Sequence, residues 1–96
     1  MIEVETKSGF KWHVNEKALR DWRFVHALRD MQQADPMMQM QGVYNMILLV
    51  LGEEGEKKLT EHVADPDGFV DAMKMAAETN EIVLLAKEKN KMVKNS

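Results

Sequence analysis

The stretch Asp65-Pro66-Asp67-Gly68 has the residue types of a calcium loop: two carboxylates, a turn former and a glycine. Oxygen coordination in an EF-hand needs acids at loop positions 1, 3 and 5, glycine at 6 and glutamate at 12. Counted from Asp65, the glycine arrives at position 4, position 5 is Phe69 and position 12 is Ala76. The ligand pattern fails, and the stretch reads as a turn, because Asp, Pro and Gly each favour turns for reasons of their own. The three histidines, His13, His26 and His62, include no two at metal-ligand spacing, and no HExxH occurs. Glu61 and His62 are helix neighbours that point about 100° apart, so they cannot share a task there. No metal or cofactor is expected.

The hydroxyl residues Thr6, Ser8, Thr60 and Thr79 have no nucleophile-elbow glycine pattern around them. The five glycines are too scattered for a phosphate loop or a dinucleotide fingerprint. Glu53-Glu54 reads as the acidic start of a helix, favoured at its positive end, rather than as an acid–base pair. The chain has no cysteine, which excludes disulfides, thiolate metal sites and a cysteine nucleophile. No catalytic residue is assigned, and no enzyme is expected.

The elements that carry these residues are mainly helical. Ile2, Val4 and Thr6 alternate with Glu3 and Glu5, and Phe10, Trp12 and Val14 alternate with Lys11 and His13. Period two with a Lys7-Ser8-Gly9 break predicts a β-hairpin over about 2–14. A loop at 7–9 pairs Thr6 with Phe10, Val4 with Trp12 and Ile2 with Val14, matching like with like. It also places Gly9 where this loop wants a left-handed residue. Four helices are expected to follow, at about 16–34, 37–51, 54–63 and 72–92, with a frayed tail at 93–96. Asn15 and Asp71 serve as caps, Asp35-Pro36 as a break and Gly52 as a stop. The first helix carries a wide apolar band, with Ala18, Trp22 and Val25 on one side and Phe24, Leu28 and Met31 on the other, which predicts two packing neighbours. Val43 to Leu51 reads as a buried central helix, and Leu59 and Val63 as the inward pair of a short one.

Ninety-six residues suit a single domain over 1–96 with one core. A formal net charge of −3 argues against a general nucleic-acid or anionic-membrane binder. No signal peptide is visible, and the longest apolar run, Met46 to Leu51, is far shorter than the roughly 20 residues that span a bilayer. The nine methionines are the unusual feature. Met31 and Met46 suit a core. Three at the start of one helix, Met37, Met38 and Met40, cannot all face the same core. With Tyr44 they are the candidate partner-binding residues, since thioether side chains repack readily against different surfaces.

The segments TKSGFKWHVNEKALRDW and LLVLGEEGEKKLTEHVADPDGFVDAM, with a short apolar helix between them, resemble the tail assembly chaperones of long-tailed phages and prophages of Gram-positive bacteria. The likeness covers about residues 1–75. The methionine-rich 37–40 segment and the lysine-rich tail depart from it. It implies a mostly helical, non-enzymatic protein of the host cytoplasm, absent from the mature virion. Its partners would be the tape measure protein and the tail tube protein, with a homo-oligomer as a further state. The family often has a longer frameshifted product, and Lys89-Asn90 and Lys94-Asn95 are residue pairs that a slippery run can encode. The alternative is a small phage regulatory or adaptor protein of helical type, with the 16–34 and 37–51 helices mimicking a helix-turn-helix. Met37 to Leu51 contains no basic residue, which leaves such a motif without phosphate contacts.

Overall fold

Alternation at the N-terminus becomes a two-stranded antiparallel hairpin, β1 at Ile2–Glu5 and β2 at Lys11–Val14. The computed structural model describes the backbone of residues 1–95 and the side chains of residues 1–91. Ile2 pairs with Val14, Val4 with Trp12 and Glu5 with Lys11, the register expected for a loop at 7–9. Thr6 and Phe10 close the ladder through a 2.9 Å bond, and Gly9 takes the positive φ of 94° that the loop requires. Ile2, Val4, Phe10 and Val14 are buried against the helices, so the chain covers its own sheet.

Three α-helices follow, not four: α1 at Trp22–Met31, α2 at Pro36–Val63 and α3 at Ala72–Asn95. The first expected helix, 16–34, is cut at Asp21. Residues Glu16–Arg20 form a 3-10 turn capped by Asn15, and Asp21 adopts an extended φ/ψ. The Asp21 carboxylate accepts from the Arg23 backbone N–H at 2.8 Å, and from Arg23 Nε and Nη2 at 3.0 and 2.7 Å. A short acidic side chain that holds the backbone this way starts a helix rather than continuing one. Ala18 therefore leaves the register of α1. Phe24 and Ala27 face the core, whereas Trp22 is 72% exposed and Val25 is exposed as well. The expected second packing neighbour is absent from this side among the described residues.

The predicted 37–51 and 54–63 helices form one element, bent at Gly52, whose φ of 77° no helix residue adopts. The bend is held from outside. Trp12 Nε1 donates to the Leu51 carbonyl at 3.1 Å, satisfying an acceptor near the helix break. Gly55 makes room for that ring: a Cβ there would lie 2.7 Å from Trp12 Nε1 and 2.5 Å from Leu51 Cβ. A second close approach occurs at Gly42, where a Cβ would meet the Met31 amide nitrogen at 2.6 Å and the Ala27 carbonyl at 2.8 Å. This glycine sets how closely α1 crosses α2. Beyond the bend, Leu59 is fully buried and Val63 half-buried, as the inward pair.

The joint at 65–68 is a turn. Gly68 N–H donates to the Asp65 carbonyl and Asp65 N–H to the Phe69 carbonyl, each at 2.8 Å. Asp71 then caps α3 through the Met73 N–H. The backbone of α3 is helical through Asn95, so the expected end at 92 is too early. Residues 87–95 contain no Pro or Gly, and lysine and glutamate propagate a helix well. Ser96, from the expected tail, lies outside the described residues. Val14 from β2, Met46 and Leu59 from the two halves of α2, and Ile82 from α3 are completely buried together. Each such side chain contributes about 1.5–3 kcal/mol. Lys89 Nζ donates to the Glu3 carbonyl, and Lys87 Nζ lies 5.3 Å from the centre of the Phe24 ring, tying α3 to β1 and α1.

Gly42→Ala and Gly55→Ala are each expected to destabilise the fold by about 1–3 kcal/mol, because backbone or a packed ring must move. Trp12→Phe should cost about 1 kcal/mol more than the lost area alone, for the orphaned carbonyl. Urea midpoints unchanged from the parent chain would refute these contacts. Hydrogen bonds from the Arg23 side chain, then from its backbone N–H, hold the Asp21 carboxyl at about 2, below its ordinary value of 3.8. Its stabilising effect is therefore full above about pH 4 and is lost as the pH falls toward 2. Carboxyl NMR should place the Asp21 midpoint near 2, and Asp21→Asn should remove that component of acid sensitivity.

Candidate protein-binding groove

Two regions bring polar or apolar side chains together in a way that suggests use. The first lies at the hairpin turn. Thr6 Oγ1 and Ser8 Oγ both donate to Glu78 Oε1, each at 2.8 Å, and Ser8 Oγ lies 2.9 Å from His62 Nε2. Serine, histidine and a carboxylate in contact invite comparison with a nucleophilic triad. Proton accounting gives a different arrangement. With each hydroxyl's one proton directed to Glu78, which only accepts when ionised, His62 takes the tautomer that donates to Ser8. A serine nucleophile needs the reverse, with its base in turn held by the carboxylate. The Lys7 N–H also donates to Glu81 Oε2 at 2.8 Å. The cluster therefore acts as a clasp that ties the turn to the end of α2 and to α3. Of the three histidines, His62 is in this clasp and touches the Phe10 ring, with centroids 5.6 Å apart. His13 stacks on Trp12 and His26 packs edge-on against Trp22. Among the described residues, no three His, Asp or Glu side chains gather where they could hold a metal ion.

The second region is a groove of about 250 Å³ between the first half of α2 and the start of α3. Met40, Val43, Tyr44 and Ile47 line it from α2, and Val70, Ala72 and Met75 from the other side. Apart from the tyrosine hydroxyl, every lining side chain is apolar. The periodicity of α2 explains the row: positions 37, 40, 44 and 47 fall within about one quarter-turn of each other at 100° per residue. The row also explains the fate of the four candidate residues. Met40 and Tyr44 meet in the groove. Met37, 79% exposed, stands one turn before them on the same face. Met38 points about 100° away, toward the flank where Gly42 meets α1. Val70 and Ala72 are the groove residues that periodicity could not supply, because they arrive from across the joint. Met73 and Met75 had a signal in their type, and Met73 lines the neighbouring cleft with Met31, Met40 and Ala76.

From Pro36 to Leu51 there is no charged residue. Half of that segment is core and needs none, but Met37, Gln41, Tyr44 and Asn45 are exposed. Surfaces that bind proteins are depleted in charge and enriched in Met and Tyr at their centres, which is this composition. A larger cleft of about 490 Å³ between α1 and α2 differs: Arg23, His26 and Asp30 line its edge above Leu48 and Leu49. Of the charged residues on that edge, Arg23 pairs with Asp21 and Asp30 with Arg29.

No helix of the described residues is long and apolar enough to cross a membrane. Comparisons with protein-family models, curated proteins and solved structures find no match to this chain. Tyr44→Lys and Met37→Lys, both at exposed positions, are expected to change stability by no more than about 0.5 kcal/mol. Thermal unfolding would check this, and a large loss at either position would mean the row is structural rather than a free surface.

Proposed function

We propose that this protein is a non-enzymatic tail assembly chaperone of a long-tailed phage or prophage, binding the tape measure protein and assisting assembly of the tail tube. The observation that carries the reading is the charge-free first half of α2, with Met37, Met40 and Tyr44 in one row beside an apolar groove. A tape measure protein is largely long helix with apolar stripes that need cover until the tube encloses them. A chaperone for it must bind such stripes without demanding one shape, and must let go later. Flexible thioether side chains along a shallow groove meet both needs, in the manner of helix-in-groove recognition. The resemblance of the hairpin and of the joint at 51–75 to the tail chaperones supplies the identity of the partner. The work is placed in the host cytoplasm, with no nucleic acid, membrane or cofactor involved. Self-association of the chaperone is compatible with this role.

The regulatory alternative asks α2 to enter a DNA groove. Its first half carries no Lys or Arg to meet phosphate or read a guanine edge, so the chaperone reading is preferred.

Co-expression with the product of a neighbouring very long, helix-rich reading frame tests the reading. The parent chain should keep that product in the soluble fraction and co-purify with it. The triple variant Met37→Lys, Met40→Lys, Tyr44→Lys should lose both while retaining its own fold by circular dichroism. Unchanged solubility of the partner with the triple variant would overturn the assignment of the surface. A specific shift of phage operator DNA would overturn the function.

A further inference from the structure

We draw no further inference here: the strongest candidate, the apolar groove between the first half of α2 and the start of α3, is an unpartnered face, and nothing in the structure shows what covers it.

Discussion

The bend at Gly52 is the constraint on which the other contacts depend. A straight α2 would present one stripe along its length, and its two halves would need the same neighbours. With the bend, Met46 before it and Leu59 beyond it are both completely buried. A left-handed residue leaves the preceding turn with carbonyls that no later amide reaches. The indole of Trp12 meets one of them, so the hairpin closes the end of a helix that starts more than twenty residues after it. Gly55 is part of the same joint because any larger residue would displace the ring. Strand, helix end and helix restart are thereby fixed relative to one another at one place.

The first half of α2 does two jobs with one composition. Val43, Met46, Ile47 and Val50 face inward, while Met37 and Tyr44 face out. Beyond the bend the same helix follows the usual division, with Glu54, Lys57, Lys58 and Glu61 outside. The change of surface chemistry therefore coincides with the bend. An exposed apolar row is an aggregation liability unless something uses it, which favours a partner over an accident of composition.

The hairpin was legible because period two and a glycine of defined handedness determine register locally. Gly52, the Asn15 and Asp71 caps, the break at Asp35-Pro36 and the turn at 65–68 were legible for the same reason. What failed depended on competition or on distance. Asp21 looks like an ordinary polar residue inside a helical pattern, and only its bonds to Arg23 show that it prefers to begin a helix. With Gly52 left-handed, whether 37–51 and 54–63 count as one element or two turns on backbone geometry that residue type does not encode. In the groove, Met40 and Tyr44 were candidates by residue type, and helical spacing then sets them in one row. Val70 and Ala72 required the return of the chain across the joint, and Met38, grouped with the others by residue type, stands about 100° from the Met37 direction.

The clasp at the hairpin turn bears on how the chain reaches this structure. Thr6, Lys7 and Ser8 find their partners at 62, 78 and 81, and Glu3 finds Lys89. These closures span between fifty and ninety residues, and the entropy of bringing such distant points together must be met before the bonds return anything. A two-stranded ribbon alone is marginal in water. Strand β2 already has a partner in α2 through Trp12 and Leu51, whereas the bonds that fasten Thr6, Lys7 and Glu3 all need α3. The N-terminal strand is therefore fastened chiefly by residues from the far end of the chain, and loss of α3 would leave the hairpin turn without these bonds.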